Sequence, residues 1–188
     1  MAYKTILAVL PNAACATWLL PQAIALAEAQ SAHLVAIHIL QRFEMHPGGH
    51  GAINLDIYEN LKADSRRIAD ECRAVFDAQS ARTTAVTEWR EMEAFLSGIP
   101  RKLVEQAFRA DLVVMSAKDG WSHDEASTST LHDVILGTGR PVLMLPEEAP
   151  AERIGRNVLL CWQPTREASM AAHNALPFLK GADLTTIL

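Results

Sequence analysis

The sequence has little positive charge and no polybasic run. Its 17 Lys and Arg are outnumbered by 22 Asp and Glu, which leaves a net charge of −5 over 188 residues. Binding to the phosphate backbone of nucleic acids needs a basic surface that displaces counterions. Anionic lipids likewise attract clusters of basic residues. The charge therefore argues against nucleic acid and against a membrane surface as partners.

Cysteine is also scarce. Cys15, Cys72 and Cys161 are odd in number, far apart and set in apolar stretches. Disulfide frameworks and structural zinc sites use closely patterned sets of cysteines instead. We therefore expect three buried thiols in a reducing compartment.

A long uninterrupted hydrophobic run is missing as well. Residues 1–30 superficially resemble a secretory signal, but Pro11 and Pro21 interrupt the apolar stretch and Lys4 is its only basic residue. No window of about 18 apolar residues predicts a transmembrane helix. With 49% hydrophobic and 21% charged residues, the composition is typical of a globular protein with a substantial core. We expect a cytoplasmic protein.

Short apolar runs alternate with helical periodicities along the chain. The predicted strands cover residues 5–10, 34–40, 83–89, 112–115 and 140–146. The predicted helices cover about residues 13–30, 55–79, 97–108 and 130–137. Strands that are apolar on both faces and alternate with helices form parallel sheets covered on both sides. The sequence therefore predicts an α/β fold with a five-stranded parallel sheet sandwiched by helices.

The opening segment recurs near the end of the sequence. Residues 6–9 (ILAV) match residues 158–161 (VLLC), and residues 31–34 (SAHL) match residues 181–184 (GADL), with helical patterns between them. We therefore predict a first domain at residues 1–147, a linker at 148–155 and the start of a second copy at 156–188. Because the second copy stops inside an apolar strand, we expect a longer chain with two full repeats.

Several segments carry a family resemblance: KTILAVL, AIHIL, RADLVVMS, TSTLHDVILGTGRPVLMLP and VLLCWQPTREASMAAHNALP. Together with the element order, they resemble the universal stress protein (UspA-like) family in its tandem-repeat form, here truncated within the second repeat. The resemblance implies a Rossmann-like fold of the adenine-nucleotide α-hydrolase type and a role in stress response. It also implies pairing between repeats or between the subunits of a homodimer.

The resemblance also implies a set of nucleotide-contacting positions. Nucleotide-binding members close the first strand with Asp, and a Gly-x2-Gly-x9-Gly-Ser/Thr motif follows the fourth strand. On this chain the corresponding positions are Pro11, Ile39, Ser116, Asp119, Thr128 and Ser129.

Most of these positions depart from the family pattern. Pro11 supplies no carboxylate, and side chains at Ser116, Asp119 and Thr128 narrow the approach that glycine gives to phosphate. Asp119 and the acids after it repel a triphosphate, although the start of the helix near Ser129 still provides N–H donors. We therefore predict a degraded nucleotide site without a cofactor. ATP is the cofactor that a weak residual site would take.

A group of histidines follows the second predicted strand. His38 lies in the strand, and His46 and His50 belong to the segment HPGGHG, with Glu44 nearby. His46 and His50 with a third ligand would suit zinc, whereas glycine-rich segments of this kind often serve only as turns.

Two polar or aromatic patterns also have two interpretations each. Ser129 or Thr130 would cap the fourth helix, or keep a weak anion site. Trp89, Trp121 and Trp162 lie at or just beyond predicted strand ends, where tryptophans either pack at a rim or line an apolar pocket.

The sequence has no nucleophile elbow, coherent acid–base pair or intact phosphate loop. The leading hypothesis is a non-catalytic stress-response protein, not an enzyme, that acts through protein association. The alternative is a nucleotide-binding stress protein whose working site lies in the second repeat. A third hypothesis is a sensor of a small ligand or a metal near His46 and His50.

Overall fold

The computed structural model describes residues 2–43, 55–118, 129–147 and 154–188, with Ser129 described by its backbone only. The first part of the chain contains β1 (Thr5–Val9), α1 (Ala13–Gln30), β2 (His33–Arg42), α2 (Leu55–Ser80), β3 (Thr87–Phe95), α3 (Ile99–Ala107), β4 (Leu112–Ser116), α4 (Ser129–Gly137) and β5 (Val142–Leu145). The last part contains β6 (Asn157–Leu160), α5 (Arg166–Asn174), α6 (Leu176–Gly181) and β7 (Leu184–Ile187).

The strands β1 to β5 form a five-stranded sheet in the order β3-β2-β1-β4-β5, and all of them are parallel. Alternate residues of a strand face opposite sides of a sheet. Ile6 and Ala8 therefore belong to a core with α1 and α2, whereas Leu7 and Val9 belong to a core with α3 and α4. The predicted fold class is confirmed.

The third strand lies further along the chain than predicted. It was expected at residues 83–89, but β3 is Thr87–Phe95. Thr83 and Thr84 form a turn, because their hydroxyls donate to the Glu28 carboxylate over 2.6 and 3.3 Å and the Thr84 amide donates to it over 3.1 Å. The charged residues of β3 suit its position at the edge of the sheet, since charges on an edge strand discourage pairing with other chains.

The cysteines only partly follow the prediction. Cys15 and Cys72 are buried, but Cys161 is exposed, so the prediction for Cys161 is wrong. Burial raises the pKa of Cys15 and of Cys72 to about 12. Both buried thiols are therefore protonated at neutral pH and unreactive as nucleophiles.

The last part of the chain, residues 154–188, forms a βαβ unit with a two-stranded parallel sheet of β6 and β7. It contacts the core through Ile154 and Phe178. The Tyr3 ring lies 5.7 Å from the Phe178 ring, and the Tyr3 hydroxyl donates to the Asn174 carbonyl over 2.6 Å. The start of the chain and its last helices are therefore packed together.

The two βαβ units of the chain have the same register. Thr5 pairs with His33 in one and Asn157 pairs with Leu184 in the other. The sequence comparison had matched Leu184 with Leu34. In the structure Leu184 takes the position of His33, so the match between the two second strands is shifted by one residue. Past each first strand the same bond recurs, from the Leu10 amide to the Ile37 carbonyl over 2.9 Å and from the Trp162 amide to the Leu188 carbonyl over 2.8 Å.

The burial of the two units differs. Leu7 is 1% exposed, whereas Leu159, at the matching position of β6, is 59% exposed. In the first unit this face is covered by α3 and α4. Among the described residues, no helix has the length and apolar character needed to cross a bilayer.

The substitution Glu28→Gln tests the turn before β3. The hydroxyl and amide bonds from Thr83 and Thr84 lower the pKa of Glu28, so its carboxylate stabilises the fold above its unfolded-state pKa. That contribution is lost as the pH falls through the lowered folded-state pKa. We expect the wild type to have the higher Tm at pH 7, and the difference to vanish towards pH 3, in thermal melts followed by circular dichroism.

The exposed carboxylate of Glu59 on α2 provides the matched control. Glu59→Gln is expected to leave the Tm unchanged at every pH. A Tm for Glu28→Gln that equals the wild-type value at pH 7 would show that the turn does not depend on this carboxylate.

Candidate functional site

The candidate site lies at the carboxyl ends of β1 and β4, where the strand order reverses direction along the sheet. Crevices at such switch points are the usual ligand sites of open α/β sheets. The register pairs Ala8 with Val114. Two residues further on, Leu10 is therefore level with Ser116, and the residues that follow both strands lie side by side.

The residue after β1 has no polar group to offer. Pro11 is buried, and it lies between Leu10, which is 0% exposed, and the start of α1. Asn12 is the N-cap of α1, and its side-chain oxygen accepts a hydrogen bond from the Cys15 amide over 2.8 Å. This side chain satisfies an amide that a bound anion would otherwise contact. Our sequence interpretation did not name Asn12, although an Asn just before an alanine-rich helix predicts such a cap.

The residues after β4 are also bonded within the chain. Ser116 is the last residue of β4, and its hydroxyl oxygen accepts a hydrogen bond from the Lys118 amide over 3.0 Å. The Lys118 ammonium group lies 3.6 Å from the Glu147 carboxylate. The negative charge of Glu147 also contributes, after burial, to the raised pKa of Cys15. A carboxylate therefore lies near the first turn of α1.

Of the remaining predicted phosphate positions, the structure describes only the backbone of Ser129. Asp119 and Thr128 lie outside the described residues. The helix α4 begins at Ser129 and already includes Thr130, which is 6% exposed. The prediction that Ser129 or Thr130 caps this helix stays a prediction, because the residues before Ser129 lie outside the described ranges.

Ile39 lies beside this edge of the sheet but turns its side chain away from it. It is 1% exposed and belongs to the core under α3. The pairing of β1 with β2 ends at Val9 and Ile37. The peptide groups of Ile39 therefore lie past the end of the β1 ladder, and only these groups would face the crevice.

His38 lies at this edge of the sheet, and its predicted grouping with His46 and His50 stays a prediction because both lie outside the described residues. Its side chain is 2% exposed, and its Nδ1 atom lies 2.8 Å from the Leu10 carbonyl oxygen. Its ring is stacked with that of Trp89 at 6.4 Å and an angle of 10°. No local pattern signals this contact, because the two bonded residues are 28 positions apart.

The predicted metal site is outside the described residues, since His46 and His50 both belong to the range 44–54. Within the described ranges, no group of three His, Cys, Asp or Glu side chains is placed to hold a metal ion. His38 itself is held in the sheet, where it bonds a carbonyl.

The tryptophans have separate surroundings. Trp89 lies within β3 and not at a strand end, because that strand is displaced from its predicted position. Its ring contacts Phe76 at 5.4 Å and has the Arg73 guanidinium 5.8 Å above it, so it packs between β3 and α2. Trp162 follows β6 and is 45% exposed, and Trp121 lies outside the described residues. Trp89 therefore packs against the core under α1 and α2, and the apolar pocket stays a prediction.

Comparison with known proteins gives a fold. No family model matches the chain, and no curated protein matches it in sequence. UspA of Lactobacillus plantarum superposes with a TM-score of 0.58 at 20% identity, covering 77% of this chain and 99% of that one. The chain therefore has the fold of the universal stress proteins.

Two further solved structures share this universal stress protein fold. A family protein from Burkholderia pseudomallei has a TM-score of 0.50 at 24% identity and covers 77% of this chain and 96% of its own. An Arabidopsis thaliana family protein, solved with AMP bound, has a TM-score of 0.50 at 10% identity and covers 79% of this chain and 97% of its own. The similarity therefore extends over nearly the whole length of each of these proteins.

The substitution Asn12→Ala tests the cap at the exit of β1. Losing the bond to the Cys15 amide is expected to lower the free energy of unfolding by about 1 kcal/mol, as for other N-caps. Urea denaturation followed by tryptophan fluorescence measures this change. Asn12→Asp is the matched control, because its carboxylate oxygen still accepts from the amide, and it should retain most of the stability. Equal losses in both variants would contradict a capping role.

Proposed function

We propose that this chain is a member of the universal stress protein family that acts in the stress response through protein association. In this proposal its nucleotide site in residues 1–147 is degraded, it holds no cofactor, it catalyses no reaction, and it works in the cytoplasm. The observation that carries the proposal is the exit of β1, where Pro11 is buried; the family resemblance assigns this position to a nucleoside-binding carboxylate.

The charges at the switch point support a degraded site. A polyphosphate needs free donors and positive charge. Lys118 is the basic side chain described there, and it faces Glu147 at 3.6 Å. This exposed pair is weak, but its two charges offset each other. The Ser116 hydroxyl and the Asn12 side chain already accept hydrogen bonds from backbone amides.

A non-catalytic role is supported by the state of the thiol beside this edge. Nucleophilic catalysis by cysteine needs a thiolate and a nearby base. Burial, with a smaller contribution from the charge of Glu147, raises the pKa of Cys15 to about 12. Cys15 is therefore a protonated core residue and does not serve as a nucleophile.

We further propose a tandem organisation in which residues 156–188 open a second domain of the same kind after a linker at 148–155. The shared register and the matching bonds of Leu10 and Trp162 support this proposal. The packing of Tyr3 against Asn174 and Phe178 supports pairing of the two domains within one chain. A homodimer is the alternative form of association.

Nucleotide binding is the second candidate function. It is favoured by the fold shared with the Arabidopsis protein that was solved with AMP bound. In this case a working site would lie in the second repeat, or a weak site would use the start of α4 in the first. Sensing of a small ligand or a metal near His46 and His50 is a third candidate, on residues outside the described ranges.

Isothermal titration with AMP and with Mg-ATP tests whether the site in residues 1–147 binds nucleotide. We expect no saturable binding up to millimolar nucleotide, because the donors at the exits of β1 and β4 are already bonded within the chain. The substitution Ser116→Leu, which would obstruct the crevice, should give the same result as wild type. A micromolar Kd in the wild type that is lost in Ser116→Leu would contradict the degraded site and favour nucleotide binding.

The substitution Tyr3→Phe tests the pairing within the chain. It removes the donor to the Asn174 carbonyl and keeps the ring beside Phe178, so the free energy of unfolding should fall by about 1 kcal/mol. Chemical denaturation measures this loss. Tyr58→Phe, on the half-buried part of α2, is the control and should have no effect. A Tyr3→Phe variant as stable as the wild type would mean that the Asn174 contact does not hold the two parts together.

A further inference from the structure

The exit of β1 is held by two consecutive residues of β2. The Leu10 amide donates to the Ile37 carbonyl over 2.9 Å. The Leu10 carbonyl oxygen lies 2.8 Å from Nδ1 of His38, so the ring nitrogen carries its proton there and donates it. Both backbone groups of the last residue before the turn are thereby bonded to β2.

The bond from His38 replaces a backbone bond that the sheet does not supply. The β1–β2 ladder ends at the Val9–Ile37 pair, and Leu10 is 0% exposed, so its carbonyl has no access to bulk water. A buried carbonyl without a donor is costly. The residue that follows is Pro11, which has no amide hydrogen, and Asn12 then caps α1. The position of the turn at residues 10–12 therefore depends on the His38 ring.

The surroundings of His38 disfavour a charged ring. Since Nδ1 carries the proton of the neutral form, a second proton would go to Nε2. Burial lowers the pKa of His38, and the Arg66 charge lowers it too, while the Leu10 carbonyl and the Glu91 charge act in the opposite direction. Glu91 is itself paired with Arg66 at 2.7 Å, which reduces its stabilisation of a charged His38 ring.

Further charged groups lie on the described part of α2. The Arg73 guanidinium lies 5.8 Å from the ring of Trp89, with which the His38 ring is stacked. Asp70, also on α2, lies 3.8 Å from Arg66. From β1, the group that faces the ring is the Leu10 carbonyl.

We propose that His38 is an acid-sensitive latch for the turn at residues 10–12. The neutral ring holds the Leu10 carbonyl and fixes the turn at the switch point. A second proton makes burial of the ring unfavourable, so the ring leaves its pocket and the turn is released. Release of the turn changes the exit of β1, which borders the candidate site. This effect is the same whether the site binds a protein or a nucleotide.

The direction of the pH effect follows from the burial of the neutral form. An ordinary histidine titrates near pH 6.5. Because the pKa of folded His38 lies below that of the unfolded chain, the stabilising bond is fully present above pH 6.5. It is lost as the pH falls from there through the folded-state pKa.

Hydrogen exchange followed by NMR on the full chain tests the latch. Exchange protection of the Leu10 and Cys15 amides reports on the turn, because these amides donate to Ile37 and to Asn12. The Val113 amide, which donates to Pro141 over 3.0 Å on β4, reports on global opening. Between pH 7.5 and 5.0 we expect the protection factors of the first two amides to fall by about tenfold or more, while that of Val113 stays unchanged.

Two variants separate the donor from the titrating group. His38→Asn places an amide N–H near the position of Nδ1 and does not titrate in this range, so protection of Leu10 and Cys15 should no longer depend on pH. His38→Phe keeps a ring against Trp89 but has no donor, so protection should be low at both pH values.

Three results would overturn the proposal. One is a wild type whose turn keeps its protection at pH 5.0, and another is an equal fall at Val113. The third is a pH-dependent fall that persists in His38→Asn. If that variant does not fold, the NMR titration of the wild-type His38 ring decides, because a ring that stays neutral down to pH 5.0 excludes the latch.

Discussion

The central strand β1 is bonded on both edges and buried on both faces, and the placement of the helices follows from that constraint. Its residues from Ile6 to Val9 are at most 1% exposed, so each face must be covered by a helical layer. The chain leaves β1 towards β2 on one side, and β4 lies on the other. The end of β1 is thus the point from which the connections of the sheet diverge, and a crevice forms there without any ligand-specific residue.

The polar groups described around this crevice are bonded to the protein itself. Asn12 caps α1, Ser116 closes the turn after β4, and Lys118 faces Glu147. A binding site keeps such groups free or exchanges their water for a ligand. Here they stabilise local backbone. The fold alone therefore says where a ligand would sit, and the side chains decide whether one binds.

Features set by local interactions were predicted well from the sequence, and features set by contacts between distant residues were not. The helices and the apolar strands were predicted well because their periodicity is local. The start of β3 was misplaced because Thr83 and Thr84 favour strands by propensity, whereas Glu28, from another helix, holds them in a turn. The role of His38 could not be predicted, since a histidine in an apolar strand does not indicate which distant carbonyl it will meet. The exposure of Cys161 likewise depends on whether another element covers β6.

The strands β6 and β7 differ from the edge strand β3 in one respect that matters for the behaviour of the protein in concentrated solution. Charged side chains recur along β3, at Glu88, Arg90, Glu91 and Glu93, whereas β6 (NVLL) and β7 (LTTI) carry none. Leu159 and Leu184 are 59% and 60% exposed on this small sheet. Uncharged strands with exposed leucines are templates for intermolecular β-pairing. Handling and expression of residues 1–188 therefore favour dilute conditions, and charged substitutions on β6 are the direct route to a better-behaved sample.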